Sequence, residues 1–115
     1  MKILDDLSAL SRYSAQRHSV LSDNIANANT PGYKAQDLQP FDEFYSKARQ
    51  LNAVDTMDAP IVRMETKAVV SPNGNNVSLD EQMLKTAEAK GQHDMALAVY
   101  RKTIDIFRLA LGRNV

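Results

Sequence analysis

Two histidines, His18 and His93, are the side chains of this chain best suited to bind a metal ion. A zinc site needs three or four ligands with convergent spacing. The chain has no cysteine, and no pattern of carboxylates completes a ligand set around the two histidines. The two rings could come close together if the helices that carry them pack side by side. We therefore expect no metal site and interpret both histidines as surface or interface residues.

Adjacent carboxylates, which could serve as a general acid and base, occur at Asp5-Asp6 and at Asp42-Glu43. Neighbouring residues of a helix point in different directions, so neither pair can converge on one substrate atom. The loop Asn73-Gly74-Asn75-Asn76 lacks the lysine and the spacing of a phosphate-binding loop. No serine stands in a nucleophile elbow. These patterns predict that the protein is not an enzyme and binds no cofactor.

The most constrained stretch of the sequence ends a long helical pattern with closely spaced asparagines and a Pro-Gly turn. Asn24 and Asn27 share one face of a helix because residues three apart are neighbours. Pro31 cannot continue the helix, and Gly32 can adopt the positive φ that a type II turn requires. This fixed geometry favours recognition or assembly over chemistry. The predicted assembly motif consists of Asn24, Asn27, Asn29, Thr30, Pro31, Gly32 and Tyr33.

The composition favours an extended subunit over a large globular domain. The chain has 115 residues, 6% aromatic residues and no tryptophan, and its 14 basic and 14 acidic residues cancel. No segment has the basic footprint of a nucleic-acid-binding protein, and zero net charge permits self-association. The N-terminus lacks the apolar core of a secretory signal, and no run approaches the ~20 apolar residues of a membrane span. We expect no nucleic-acid partner and no transmembrane segment.

Residues 3–28 contain neither glycine nor proline and predict the first long helix. At a rise of 1.5 Å per residue, this helix would be about 39 Å long. A row of three- and four-residue spacings, typical of an amphipathic helix, runs through Ile3, Leu7, Leu10, Ser14, Arg17, Leu21, Asn24 and Ala28.

The second long helix is predicted to begin at the capping box Ser78-Leu79-Asp80-Glu81 and to end near Gly112. It would be about 51 Å long. Its corresponding row runs through Leu79, Met83, Thr86, Lys90, His93, Leu97, Tyr100, Ile104, Phe107 and Leu111.

Both rows are apolar at their ends and polar in the middle, which predicts an antiparallel coiled-coil-like hairpin. Polar core positions lower stability but can fix the register. A lone hairpin must offset the ordering entropy of about 60 helical residues, so we expect its ends to fold fully only against neighbouring subunits. The predicted contacts between the helices are Ile3, Leu7, Leu10, Leu21, Leu79, Met83, Leu97, Tyr100, Ile104, Phe107 and Leu111.

All four prolines of the chain lie between the two helical patterns. A short helix is predicted over Phe41–Arg49, and short extended segments over Ile61–Glu65 and Ala68–Val70. Asn73-Gly74 is a strong tight-turn signal. The predicted fold class is therefore mainly α, with long terminal helices and an irregular middle.

Two segments of the chain resemble known proteins. Residues 21–35, LSDNIANANTPGYKA, closely resemble the N-terminal signature of bacterial flagellar axial proteins, the rod, hook and hook-associated subunits. Residues 71–89, SPNGNNVSLDEQMLKTAEA, are similar to a basal-body rod protein of the proximal rod. Residues 36–70 carry little of this likeness. Residues 90–94, KGQHD, depart from a stretch that often contains glutamine and tyrosine in related helices, so another proximal rod subunit is the closest competing assignment.

The resemblance implies a structural subunit of the flagellar basal-body rod, a hollow helical drive shaft. The rod crosses the periplasm, transmits torque from the MS ring to the hook and surrounds the export channel. The implied partners are copies of the chain, other rod subunits, the MS ring or its rod adaptor, and the flagellar type III export apparatus. The implied route leads from the cytoplasm to the periplasm without a cleaved signal peptide.

The resemblance divides the chain into an N-terminal axial helix over residues 1–30, a turn motif and irregular middle over 31–77, and a C-terminal axial helix over 78–115. The alternative function is a soluble helical adaptor or export chaperone that binds a partner helix in a groove. An adaptor predicts a discrete, well-folded monomer or dimer, whereas a rod subunit predicts polymers with its partners.

Overall fold

The computed structural model describes residues 2–64, 66 and 69–112. The elements within these ranges are α1 (Lys2–Ala26), β1 (Gln36–Leu38), α2 (Phe41–Gln50), β2 (Ile61–Arg63) and α3 (Leu79–Ala110). The molecule is elongated, with extents of 64 × 29 × 18 Å. The predicted fold class, mainly α with long terminal helices that pack together, is confirmed. No helix in these ranges combines the length and apolarity needed to cross a membrane.

The helices α1 and α3 run antiparallel along each other. Asn24, near the end of α1, donates a hydrogen bond to Gln82 in the first turn of α3 at 2.9 Å. His18 in the middle of α1 lines the same groove as His93 in the middle of α3. The 25 residues of α1 and the 32 of α3 span about 37 and 48 Å. The last turns of α3 therefore extend past the start of α1.

At the ends of α3, the serine half of the predicted capping box and the predicted glycine stop both form, whereas the glutamate half of the capping box does not. Ser78 precedes α3 in extended conformation, and its Oγ accepts a hydrogen bond from the backbone N–H of Glu81 at 3.4 Å. The Oε2 atom of Glu81 accepts from the hydroxyl of Thr66 at 3.0 Å, so the glutamate reaches outward to the middle region. Gly112, just past α3, has φ +71°, the left-handed conformation in which helices commonly end.

The middle of the chain forms a small antiparallel sheet beside α2. β1 pairs with β2 in the register Gln36 with Arg63, Asp37 with Val62 and Leu38 with Ile61. β2 coincides with the first three residues of the predicted segment over 61–65, whereas β1 was not predicted. Residues 65 and 68 lie outside the described residues, and residues 69 and 70 belong to no strand. The middle region is thus more ordered than its prolines suggest.

Two apolar clusters lie against different faces of α1. The first joins Tyr13 and Val20 of α1 to Leu38, Phe44, Ala48 and Ala59 of the middle region. The second joins Leu21 of α1 to Ala35, Met64 and Ala89, and so connects α1 with α3. Since α1 contributes to both clusters, it is the element that holds the middle region and α3 in one body.

Candidate assembly site

The predicted turn after α1 forms as the sequence indicates. The backbone N–H of Tyr33 donates to the carbonyl of Thr30 at 3.2 Å. Gly32 has φ +74°, which a type II turn requires at its third residue. Pro31 and Gly32 are exposed, while Tyr33 is half-buried. The turn therefore presents its tip to solvent and directs the tyrosine back into the molecule.

Asn24 is fully buried, with 0% of its surface exposed. Its Nδ2 donates to the carbonyl of Gln36 at 2.7 Å and to Oε1 of Gln82 at 2.9 Å. Its Oδ1 accepts from the N–H of Gln36 and from the hydroxyl of Tyr33, both at 2.9 Å. The amide thus uses two donors and two acceptor positions, which is its full capacity. A buried polar side chain is tolerated when its hydrogen bonds are satisfied in this way.

The Asn24 amide takes the place of a neighbouring strand at the edge of β1. Backbone groups of an antiparallel strand point alternately toward and away from the paired strand. The N–H and C=O of Gln36 both bond to Asn24, so they point away from β2 and toward α1. One side chain therefore covers the sheet edge, which would otherwise expose unpaired backbone groups.

Arg17 gives α1 a second polar attachment to the sheet. Its Nε lies 2.9 Å from Oδ1 of Asp37 and its Nη2 lies 3.0 Å from Oδ2. Such two-pronged arginine–carboxylate pairs are the strongest and most directional ion pairs. Hydrogen bonding to Asp37 raises the pKa of Arg17 despite its partial burial. The polar middle of the first helix therefore faces the sheet at this residue.

The segment after the turn pairs with the Asn-rich segment before α3. The hydrogen bonds run from Gly32 N to Asn73 O (2.8 Å), from Asn76 N to Tyr33 O (3.3 Å) and from Ala35 N to Asn76 Oδ1 (2.7 Å). We call residues 32–35 and 73–76 together the clasp. Lys34 adds a hydrogen bond from its Nζ to the carbonyl of Gly74. The two segments that carry the family resemblance thus bind each other within one chain.

Asn75 connects the clasp to the end of α1. Its side chain is 3% exposed, and its Nδ2 donates to the carbonyls of Asn27 at 2.9 Å and Thr30 at 2.8 Å. Its Oδ1 accepts from the N–H of Val77 at 2.8 Å. The last carbonyls of a helix have no partner inside the helix, and here a side chain from the second segment supplies donors just beyond the helix end.

The remaining motif residues lie nearer the surface. Asn27 is half-buried, with its Nδ2 donating to Asp23 O at 2.8 Å and its Oδ1 accepting from Thr30 Oγ1 at 3.0 Å. Asn29 and Thr30 are exposed. Burial, followed by the charge of Asp23, raises the pKa of Tyr33. The inward part of the motif therefore holds the subunit together, and its outward part is free for contacts with other molecules.

The residues predicted for inter-helix packing are not equally buried. Leu21 is fully buried; Leu7, Leu10, Leu97, Tyr100 and Ile104 are half-buried; and Ile3, Leu79, Met83, Phe107 and Leu111 are 37–74% exposed. The buried positions of α3 are Gln82, Ala89 and Ala96, which are seven residues apart, the heptad spacing of a coiled-coil seam. The seam on α3 thus lies beside its most apolar row, and much of that row is left uncovered.

The second half of α3 exposes large apolar side chains on more than one side. The exposed apolar face of α3, as we use the term, comprises Met95 (57% exposed), Val99 (41%), Ile106 (63%), Phe107 (37%), Leu109 (75%) and Leu111 (74%). Single exposed apolar residues are normal in soluble proteins, but extensive exposed apolar surface is typical of sites that bind another molecule.

His18 and His93 do come together, in a groove that Ala15, Lys90 and Asp94 also line. Lys90 and Asp94 form a 3.0 Å ion pair one helical turn apart. The hydrogen bond from Lys90 is the main cause that lowers the pKa of Asp94. In the part of the chain that the structure describes, no group of three or more potential ligands is placed to hold a metal ion.

Three residues central to this site were not singled out from the sequence: Asp37, Asn75 and Gln82. The heptad spacing of Gln82, Ala89 and Ala96 is the one local signal that could have placed Gln82 on the seam. Asn75 was included in a turn, but no local pattern shows that its side chain reaches the end of a helix far away in sequence.

Comparison with known proteins identifies the class to which this site belongs. A family model described as flagella basal body rod protein matches residues 7–34, which covers most of α1, its exit and the turn. The chain is 34% identical over 93 residues to the flagellar basal body rod protein FlgB of Agrobacterium fabrum, covering 69% of each chain. It is 28% identical over 121 residues to FlgB of Escherichia coli, covering 84% of this chain and 88% of that protein. FlgB of Salmonella typhimurium gives a similar match, at 28% identity over 123 residues.

The chain therefore belongs to the FlgB family of flagellar basal body rod proteins. This family is a structural one. The site described above consists of a polar joint within the chain, by which we mean the exit of α1, the turn at residues 30–33 and the clasp, and of an apolar face that is exposed on α3.

Proposed function

We propose that this chain is a structural subunit of the proximal rod that assembles helically into the hollow drive shaft of the flagellum. In this role it transmits torque from the MS ring to the hook and surrounds the export channel. Membership of the FlgB family supports the location in the basal-body rod. The observation that carries the assembly is the exposed apolar face of α3.

The apolar face is suited to packing against the helices of another copy. A helix that is apolar on several sides is normally buried on several sides, yet among the described residues α3 packs mainly against α1. Burial of each large aliphatic side chain stabilises by about 1.5–3 kcal/mol. The last turns of α3 extend past α1, so a neighbouring molecule must supply their cover. When one surface of a subunit binds a different surface of the next copy, each copy is rotated relative to the one before. If these rotations do not close a ring, the copies form an open helical assembly.

The shape of the subunit suits a shaft wall. The two long helices follow the 64 Å axis of the molecule, so neighbouring copies can share many parallel side-chain contacts that resist shear. The clasp fixes the reversal of the chain between the helices, and the exposed tip at residues 29–32 lies at the same end. The same joint can then repeat in every copy of the wall.

The proposed partners are copies of this chain, other rod subunits, the MS ring or its rod adaptor, and the flagellar type III export apparatus. The proposed route is export from the cytoplasm to the periplasmic rod without a cleaved signal peptide. The family relationship supports these partners and this route.

Two aspartates placed on the apolar face test the proposal. The double change Ile106→Asp and Leu109→Asp should leave the α1–α3 seam intact, because both residues are exposed, but should prevent a neighbour from covering α3. In a strain that lacks its own copy of the gene, we expect loss of motility and absence of the subunit from purified basal bodies. The matched control is Gln92→Asp, at an exposed polar position of the same helix.

Circular dichroism and light scattering of the purified variants complete this test. Helicity equal to that of the unchanged chain shows that the loss lies in assembly. Full motility with the double change would contradict the proposal. A chain found in the cytoplasm in a discrete complex with an export substrate, and missing from imaged basal bodies near the MS ring, would favour the adaptor or chaperone.

A further inference from the structure

We propose that Asn75 is the positioning residue of the joint. Its side chain binds the turn just beyond α1 from the second Asn-rich segment and so fixes the direction in which the chain enters α3. This inference concerns the folded subunit itself. It rests on the proposed function only for its consequence in the rod.

The last carbonyls of α1 are satisfied locally, because those of Asp23, Asn24 and Ile25 accept hydrogen bonds from Asn27 and Ala28. Helices commonly end in a residue of positive φ whose N–H groups fold back onto the last turn. Among the described residues after α1, the first with positive φ is Gly32, well beyond Ala26. Beyond the helix, the carbonyls of Asn27 and Thr30 each accept one local N–H, from Thr30 and Tyr33 respectively, and each also accepts a hydrogen bond from the Asn75 amide. The turn that follows α1 is therefore tied to a side chain that arrives from another segment.

The same side chain reaches toward α3. Oδ1 of Asn75 accepts from the N–H of Val77 at 2.8 Å, and Val77 directly precedes Ser78, whose hydroxyl caps α3. The N–H of Asn75 donates to Oδ1 of Asn73 at 3.0 Å, and its carbonyl accepts from Ser71 at 2.8 Å. Asn75 is thus held at both backbone groups, and one amide spans the gap between the two long helices.

This arrangement requires an amide at position 75. Two N–H donors and one acceptor are in use, whereas an ionised carboxylate of the same shape only accepts. At the next position the requirement is different, because Asn76 accepts from the N–H of Ala35 through Oδ1 at 2.7 Å. A carboxylate keeps that hydrogen bond. The neighbouring asparagines therefore provide a matched pair of substitutions with equal shape and charge.

The experiment compares Asn75→Asp with Asn76→Asp in the purified full-length chain by denaturant unfolding at pH 7. For Asn75→Asp we expect the folding equilibrium constant to fall roughly 30-fold or more, because the two hydrogen bonds to the carbonyls of Asn27 and Thr30 are lost and a buried negative charge faces both oxygens. For Asn76→Asp we expect a change of less than about 5-fold, since its acceptor is retained. Equal effects of the two changes would overturn the proposal.

A pH series adds a readout that general destabilisation does not produce. The carboxyl introduced at position 75 faces the carbonyls of Asn27 and Thr30, so its folded pKa should lie above the unfolded value of about 3.9. When protonated it can again donate one hydrogen bond. The loss of unfolding free energy in Asn75→Asp, relative to the unchanged chain, should therefore become smaller as pH falls from 7 to 4.

The control should not show this recovery. The carboxyl introduced at position 76 accepts an N–H, which lowers its pKa in the folded chain. The difference in unfolding free energy between Asn76→Asp and the unchanged chain should therefore stay constant down to pH 4 and grow only below that. In the described ranges, the charged residues bonded to the clasp or to the exit of α1 are Lys34, which bonds to Gly74, and Asp23, whose carbonyl accepts from Asn27; the hydrogen-bond partners of the two asparagine side chains are all backbone groups. A deficit at position 75 that does not shrink with falling pH, or a chain that stays unfolded at both pH values, would overturn the assignment.

If the rod proposal also holds, Asn75→Asp should reduce motility at neutral pH and Asn76→Asp should not. The solution measurements do not depend on that result. Failure of the pH series refutes the role of Asn75, whereas intact solution behaviour without any motility phenotype refutes the link to the rod.

Discussion

Amide side chains bind backbone groups at two points of the joint. Asn24 bonds to both backbone groups of Gln36 at the edge of β1, and Asn75 donates to two carbonyls after α1. Both side chains are almost completely buried. The sequence predicts that Asn24 is constrained, but an assembly contact requires free hydrogen-bonding atoms, and Asn24 has used all of its own inside the chain. The outward residues of the motif, Asn29 and Thr30, remain the better candidates for contacts with a neighbour.

Two glycine-to-alanine changes should have opposite effects on stability. Gly32 has φ +74° with nothing within 4 Å of an added Cβ, so Gly32→Ala should lower the free energy of unfolding by about 1–2 kcal/mol through backbone strain alone. Gly91 lies inside α3, also with nothing within 4 Å, so Gly91→Ala should raise it by about 0.5–1 kcal/mol. Denaturant unfolding of both variants measures the difference. Destabilisation by both changes would show that Gly91 serves a close contact.

At the scale of elements, the periodicity of the sequence predicts the inner face of α1 better than that of α3. Ser14, Leu21 and Asn24 of the predicted row are fully buried. On α3 the large apolar residues outnumber the places available against α1, and the helices approach through Ala89 and Ala96 instead. Small residues permit close packing but give a weak hydrophobic signal. The three- and four-residue periodicity therefore identifies the most apolar face of a helix. On α3 much of that face remains exposed and is available to another molecule.

The contact between α2 and the start of α1 should weaken at high pH. The Tyr45 hydroxyl donates to Asp6, and burial followed by this hydrogen bond raises the pKa of Tyr45 to about 12. The neutral phenol is therefore favoured in the folded state relative to the unfolded value of about 10. Its contribution is present below pH 10 and is lost as pH rises from 10 to 12. Burial also raises the pKa of Tyr13, so Tyr45→Phe should remove part of this loss.

Denaturant unfolding of the unchanged chain and of Tyr45→Phe at several pH values between 8 and 12 provides the measurement. The two stability curves should converge as pH rises through this window. Parallel curves throughout would mean that Tyr45 does not titrate differently in the folded and unfolded chains.

For the whole molecule, the sequence predicts the local elements and the pairing of the two long helices, but it misses the individual partners that join the middle region to the rest. The capping serine, the Pro-Gly turn and the two long helices each depend on nearby residues, and all of them form. The pairing of Gln36 with Arg63 and the contact of Asn75 with Thr30 join segments that are far apart in the chain. No periodicity encodes such partners. The middle region therefore looked irregular in the sequence, although two apolar clusters and the clasp organise it.

The stability of the isolated subunit should fall along its length, from the joint to the free end of α3. At the joint, Leu21, Asn24, Gln82 and Ala89 have 0% of their surface exposed. At the other end, Ile106, Leu109 and Leu111 are 63–75% exposed, and the last turns of α3 extend beyond α1.

Local opening free energies range from near zero at fraying ends to the global value in a core. Hydrogen exchange of the dilute monomer should therefore show backbone amides of residues 100–110 exchanging roughly 100-fold faster, or more, than those of 82–89. Assembly into the rod should abolish the difference, because neighbouring copies then bury the free end. Uniform protection along α3 in the monomer would mean that the hairpin is complete without neighbours.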